Sequence, residues 1–466
     1  MSVFERYEHP FRPNYEAYSA AGCLLAAAAT PLAQLATDLP SGPFWALGAV
    51  ALGLGAYDGV RGLRHWRRLR RLRGKPKAFV DHERLSRIVG KDRENFWLGW
   101  GFRWERRHVQ MAIEMGRVER SSRYEAEDAQ GATWLHGLEP RERPIRLPLK
   151  QKGTHTLVLG TTGAGKTRML DLMITQDIER QEAVIILDPK GDKELMENAK
   201  RACERIGHPD RFVYFNPAFP QRSARIDPLH NFNRATEVAN RIATLVPSTT
   251  GSDPFKAFSA KVLNNVIQGF MLIGKRPTLM GIRSYLELGV EELVVLSVST
   301  WAQQRLPDWR AAAQPYLQTA NDAYGRAEAM RTFYQERVRP RHPNQDLEGL
   351  LSLFAHDREH MSKMISNLLP VLDMLTSGDL GPLLSPDPGD ASDTRPITNV
   401  AQMIHQGQVV YVALDSLSDG LVGSAIGSIL VSDITAVAGD RYNYQVNLRP
   451  VNIYIDEAAE TLHEGT

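Results

Sequence analysis

The sequence predicts an α/β fold: a P-loop nucleotide-binding core built on a mostly parallel sheet with flanking helices, an all-α domain inserted into it, and an N-terminal two-helix transmembrane hairpin. Three observations predict it. A glycine-rich loop stands between an apolar β-type run and a helical run; short apolar runs ending in carboxylates recur far along the chain; and two apolar stretches separated by a short turn open the chain. The divisions expected are 1–77 for the hairpin and its basic flank, 78–150 for a membrane-proximal segment, 151–232 for the first part of the core, 233–395 for the inserted all-α domain, and 396–466 for the second, incomplete part of the core.

The expected spans cover about 18–36 and 43–60, each close to the ~20 residues that cross a bilayer as a helix, with Thr37 to Gly42 between them. Leu24, Leu25, Leu32 and Leu35 contribute only roughly −1 to −2.4 kcal/mol to insertion of the first, partly offset by Pro31 and Gln34, so it inserts better as half of a hairpin than alone. Tyr15, Tyr18, Phe44, Trp45, Tyr57 and Trp66 fall near the expected interfaces. Gly55 and Gly59 make one G-x-x-x-G spacing, which fits a helix contact or merely small residues near a turn.

From Arg61 to Lys77 run Arg61, Arg64, Arg67, Arg68, Arg70, Arg71, Arg73, Lys75 and Lys77 with no acidic residue, so this flank reads as cytoplasmic and as an anchor on inner-membrane lipids. Two spans return the chain to the side it left, so the N-terminus with Arg6 and Arg12 and everything after the hairpin are also expected in the cytoplasm. Glu5, Glu8 and Glu16 spoil the basic start that a cleaved signal peptide needs.

The 466 residues suffice for two or three domains, and 56 basic against 54 acidic residues leave no global basic character to argue for nucleic acid. Cys23 and Cys203 are the only cysteines, which excludes a disulfide framework and a cysteine-rich zinc site. In 78–150, Trp97, Trp100, Phe102 and Trp104 crowd among Arg103, Arg106 and Arg107. Such a cluster fits base stacking or, more simply, a packed corner of a small domain.

The run Gly160-Thr161-Thr162-Gly163-Ala164-Gly165-Lys166-Thr167 matches the phosphate-cradling pattern G-x-x-x-x-G-K-[ST] at every fixed position. Its glycines let successive N–H groups and a helix N-terminus face phosphate, Lys166 adds a positive charge at the β- and γ-phosphates, and Thr167 offers a hydroxyl to Mg²⁺. His155 to Leu159 reads as the strand before it and Arg168 to Ile174 as the helix after it, with Arg168 counted among the nucleotide ligands. ATP and Mg²⁺ are the expected substrate and ion. Val451 to Ile455 reads as a buried strand ending in Asp456 and Glu457: Asp456 to hold Mg²⁺, Glu457 to orient or deprotonate the attacking water, with Lys166 and Glu457 as the catalytic pair.

Ala183 to Asp188 reads as a buried parallel strand closed by Pro189-Lys190-Gly191; Asp188 there fits either a nucleotide ligand or plain turn chemistry. Arg211 to Phe215 and Gln408 to Leu414 are two further strands. Between them, from about Phe255 to Leu384, lie helical runs such as Ala260 to Ile267 and Met361 to Leu375, broken by Pro277, Pro307, Pro315 and Pro340.

The two-span anchor, the loop from His155 to Thr167, the strand end Leu187-Asp188-Pro189-Lys190-Gly191-Asp192, the helical insertion and the Asp456-Glu457 strand together resemble the TraD/TraG-type coupling proteins of conjugative type IV secretion, especially the TraD form of integrative conjugative elements. The resemblance implies a RecA-like, FtsK-related ATPase that assembles as a homo-hexamer at the bacterial inner membrane. It implies, as partners, DNA in single- or double-stranded form, the relaxase and other relaxosome proteins, and components of the secretion channel. Two other classes stay open: a docking receptor whose helical insert binds the relaxase while nucleotide switches affinity, and a chromosome translocase of the FtsK type, against which the two spans and the Asp-Pro-Lys-Gly turn count. The family continues past its second acidic strand with more strands, a sensor Gln and an arginine finger. Here Thr466 lies ten residues beyond Asp456, so a fragment of a longer protein is expected.

Overall fold

The computed structural model describes residues 12–37, 39–72, 80–117, 133–246, 254–318, 320–444 and 449–461. Glu5, Arg6, Glu8, Asp38, Arg73, Lys75, Lys77 and Thr466, used in the topology and boundary readings, lie outside them. The chain divides into two units, Met1–Lys166 and Thr167–Thr466.

In the first unit, α1 (Tyr15–Leu35) and α2 (Ser41–Leu72) form an antiparallel hairpin. Gly48, Gly55 and Gly62, seven residues apart, are buried on one face of α2. A methyl group at Gly48 would fall 2.8 Å from Thr30 Oγ1, one at Gly55 3.3 Å from Cys23 Cβ, and one at Gly62 3.1 Å from the backbone nitrogen of Ala17, so small residues set how closely the two backbones approach. Gly59 also faces α1, at 3.9 Å from Ala20 Cβ, so the G-x-x-x-G pair belongs to a helix contact and not to a turn. Asn14 caps α1, accepting from the Ala17 N–H at 3.1 Å, and its amide donates to the Gly62 carbonyl at 3.0 Å. Helix α1 is long and apolar enough to cross a membrane. The second expected span lies within α2 but does not reach the same hydropathy, because Asp58, Tyr57 and its glycines dilute the apolar run.

After the hairpin come α3 (His82–Lys91), β1 (Asn95–Gly101), α4 (Arg106–Arg117), β2 (Arg143–Pro148) and α5 (Leu149–Lys152). Asp81 accepts from the Arg84 N–H at 2.7 Å and starts α3. Strands β1 and β2 pair antiparallel with an irregularity between Trp97 and Gly99. Trp97 is buried with its ring 4.8 Å from that of Trp100, over which the Arg84 guanidinium lies at 4.7 Å. These two tryptophans are a packed corner; Trp104 stays half exposed. Leu72 of α2, Met115 of α4, Trp134 and Leu138 make a small apolar core.

His155 to Gly160 is not the strand the sequence predicts. No ladder bond reaches it among the described residues, and Leu157 and Leu159 are 79% and 83% exposed. An apolar run becomes a strand only where a neighbour pairs its N–H and C=O groups, and within its unit this run has none.

The second unit opens on α6 (Lys166–Glu179), followed by β3 (Ala183–Asp188), α7 (Lys193–Arg205), β4 (Phe212–Phe215), β5 (Arg225–Ile226) and α8 (Ala235–Ala243). Helices α9 (Pro254–Leu272), α10 (Leu279–Leu288), α11 (Glu291–Gln303), α12 (Trp309–Leu317), α13 (Ala323–Phe333), α14 (Gln345–Phe354), α15 (Arg358–Met364), α16 (Leu369–Thr376) and α17 (Leu380–Leu384) come next. The chain then returns through β6 (Ile397–Thr398), α18 (Val400–Gln406), β7 (Val409–Ala413), α19 (Gly420–Tyr444), β8 (Val451–Ile455) and α20 (Ala458–Thr461).

Four strands form one sheet in the order β4-β7-β3-β8, all parallel. Every residue of β3 and β7 is buried, as unbroken Val/Ile-rich runs in a covered parallel sheet should be. Strand β8 departs from the buried strand expected: it pairs on one side only, Ile453 is 43% exposed, and only Tyr454 is fully buried.

Helices α8 to α17 show the helical character of the long interval, and their core is continuous with that of the sheet. One continuous apolar cluster runs from Ile185, Leu187, Val213 and Phe215 of the sheet through Leu263, Leu293, Phe333, Leu350 and Leu372 to Ile429. Among the described residues, helix α19 is the other helix long and apolar enough to cross a membrane, yet more than half of its apolar stretch is buried inside this unit. It is a core helix here, and it carries the fully buried Asp433, which accepts from Arg241 Nη1 of α8 at 2.9 Å and from Asn231 Nδ2 at 3.1 Å.

Candidate functional site

Within the first unit, the loop Gly160 to Lys166 curls back on itself. The Ala164 N–H donates to the Thr161 carbonyl at 3.1 Å, and Lys166 Nζ donates to the Gly160 carbonyl at 2.9 Å. Gly163 and Gly165 adopt φ of +78° and +96°, conformations open to glycine and strained for other residues, which explains why the pattern needs glycine at Gly165. A methyl group at Gly160 would fall 3.2 Å from Ala164 Cβ, so this glycine too keeps the curl tight. Thr162 sits in the same turn, and Lys166 opens α6 with Thr167 and Arg168 directly after it.

Within the second unit, three carboxylates gather at the C-terminal ends of β3 and β8. The Asp456 N–H donates to the Leu187 carbonyl at 3.0 Å, so β8 delivers Asp456 and Glu457 beside Asp188. Thr167 Oγ1, from the first turn of α6, donates to Asp456 Oδ2 at 3.4 Å. Two residues almost three hundred positions apart in the sequence thereby meet. Burial pushes the Asp456 carboxyl above its ordinary range, and the negative charges of Asp188 and Glu457 add to the rise. A pocket that raises a carboxyl in this way is one that a cation would relieve.

Asp188 is spent on the turn that follows it. Its Oδ1 accepts from the Lys190 and Gly191 N–H groups at 2.9 and 3.0 Å; its Oδ2 accepts from the Asp192 N–H at 2.7 Å and from the Tyr411 hydroxyl of β7. Of the two readings left open for Asp188, turn chemistry matches these bonds. Asp192 then caps α7, accepting from Glu194 and Leu195. Lys190 Nζ reaches Glu457 Oε1 at 3.1 Å, and this contact raises the Lys190 ammonium above its ordinary range. Glu457 itself stands at φ +42°, in the left-handed region, with its carbonyl accepting from the Glu460 N–H at 2.8 Å. Arg168, expected to touch nucleotide, makes a two-pronged bond to Glu194 at 2.5 and 2.8 Å, which raises its guanidinium further.

Sequence reasoning missed Tyr411, Glu194 and the pair Tyr454–Asp177, in which the β8 hydroxyl donates to a fully buried carboxylate of α6 at 2.5 Å. A tyrosine within an apolar strand carries no sequence signal for the partner of its hydroxyl. Burial beside these carboxylates holds the hydroxyls of Tyr411 and Tyr454 well above the usual tyrosine range.

Residues 144–308, about a third of the chain, match the family model described as the type IV secretion-system coupling protein DNA-binding domain. A search among curated proteins finds none that matches.

Proposed function

We propose that this chain is a membrane-anchored ATPase of the type IV secretion coupling class, of the TraD/TraG type, which uses ATP hydrolysis to move relaxase-bound DNA into a secretion channel. The observation that carries the enzymatic half is the approach of Thr167 Oγ1 to Asp456 Oδ2, which brings the hydroxyl after the phosphate-loop lysine to the first acid after β8. The match over residues 144–308 supports the coupling role and DNA as a partner. The parallel sheet with acids at its C-terminal edge supports a RecA-like core. Helix α1 and the basic run that begins at Arg61 within α2 support attachment at the inner membrane, with both termini cytoplasmic. The assembly as a homo-hexamer and the contacts with relaxosome and channel proteins rest on the resemblance.

The residues present fit Mg²⁺: Thr167 and Asp456 are hard oxygen donors in contact, and the raised Asp456 carboxyl sits beside the negative charges of Asp188 and Glu457. When bound, Mg²⁺ would neutralise charge on the β- and γ-phosphates. The amides of Gly160 to Gly165 and the Lys166 ammonium would grip the triphosphate, and Glu457 would hold the attacking water and take its proton.

The test is transfer and turnover together. Full-length protein with Lys166→Ala should lose ATP hydrolysis and DNA transfer between cells while still reaching the membrane. Normal transfer by that variant would remove the motor and leave at most a docking receptor.

A further inference from the structure

We infer that Lys190 is a positioning residue that withholds Glu457 in the nucleotide-free protein, so that hydrolysis waits on release of this ion pair. The inference rests on the function proposed above. Lys190 is held on a fixed platform: both oxygens of Asp188 are tied into the turn, the Ser416 N–H donates to the Pro189 carbonyl at 2.9 Å, and the Leu414 N–H donates to the Asp188 carbonyl at 2.9 Å. Glu457 is held equally firmly. Its N–H donates to Asp456 Oδ1 at 3.0 Å, its carbonyl takes up the start of α20, and its left-handed backbone turns the side chain across the strand ends toward β3. The carboxylate therefore meets Lys190 Nζ at 3.1 Å.

A glutamate bonded to an ammonium has one oxygen occupied, which leaves it less available to any water it would activate. The pair is also weak enough to open. Its side chains are 44% and 32% exposed, and ion pairs of this exposure shift an equilibrium by only about twofold to fivefold. A latch needs that range: strong enough to bias the resting state, weak enough for a competing phosphate anion to displace. The same segment is tied to α6 through Glu194 and Arg168, so the platform touches both the helix that follows the phosphate loop and the acid after β8.

Two measurements on the full-length protein test this. In nucleotide-free protein, acylation of the Lys190 amine, read by mass spectrometry, should run about twofold to fivefold faster in Glu457→Gln than in wild type. It should also quicken in wild type on adding Mg·ATPγS or a DNA oligonucleotide, the effective addition naming which phosphate opens the pair. In steady-state hydrolysis, Lys190→Met should raise kcat/KM for ATP by about the same factor, and Lys190→Arg, which keeps charge and reach, should stay at the wild-type value. Equal acylation in wild type and Glu457→Gln, or a kcat/KM for Lys190→Met at or below wild type, overturns the latch while leaving the ATPase intact. A wild-type protein that hydrolyses no ATP overturns the function and the latch together.

Discussion

Asp456 and Glu457 are adjacent in sequence but are asked for different chemistry, and their surroundings separate them. Asp456 is half-buried against Thr167 with its carboxyl pushed up; Glu457 is bonded outward to Lys190. Replacing Glu457 by Gln should leave nucleotide affinity within about twofold and lower turnover by at least ~100-fold, since only the base is lost; equilibrium binding of a fluorescent ATP analogue beside a phosphate-release assay checks both. For Asp456 the sign is worked from the raised carboxyl. If Asp456 holds Mg²⁺ as proposed, a proton would compete for this oxygen at pH above 3.8, its ordinary value, so Mg²⁺-dependent nucleotide affinity should begin to fall at higher pH than a free aspartate would dictate. Titrating affinity against pH in wild type and Asp456→Asn, which should lose that dependence, reads this directly. The loop and the Asp456-Glu457 end were legible because phosphate chemistry fixes residue type at fixed spacing. The partners of Arg168 and Asp188 were not, because Glu194 and Tyr411 become neighbours only through the sheet order.

Among the elements, β3, β7 and α6 were legible from apolar run length and from the helix-opening position of Lys166, whereas the run before the loop was not. Leu157 and Leu159 carry strand propensity, and propensity without a partner leaves them exposed. Helix α19 misleads in the opposite direction, since its composition alone would pass for a membrane span. What marks it as a core helix is Asp433, buried on the Arg241 guanidinium of α8. Burial pushes the Asp433 carboxyl up while Arg241 pulls it down. Arg241→Met would strand that carboxylate and should cost about 3–5 kcal/mol of unfolding free energy. Because an aspartate raised in the folded state is bound by its proton more tightly there than when unfolded, the loss should grow as pH rises; urea unfolding at two pH values checks size and sign.

At the scale of the whole molecule, the all-α interval was visible as a long stretch without strand patterning, but its dependence on the sheet was not. Hydrophobic periodicity shows that a helix has an apolar face without showing what covers it. Here the faces of α9, α11 and α14 join the cluster that includes Ile185 and Val213. Residues 233–395 expressed alone should therefore lack a cooperative unfolding transition and expose apolar surface to dye binding; a sharp calorimetric transition from that piece would show an independent domain after all.

The strand order carries one more consequence. Both neighbours of β3 come from beyond residue 408, so this fully buried strand leaves the ribosome more than two hundred residues ahead of the first segment able to pair with it. At ordinary translation speeds that is a delay of roughly 10–40 s, during which Ala-Val-Ile-Ile-Leu stays an open template for any passing edge. A nascent chain built this way should lean on co-translational chaperones, and a stalled or shortened transcript should yield aggregate rather than a half-made fold.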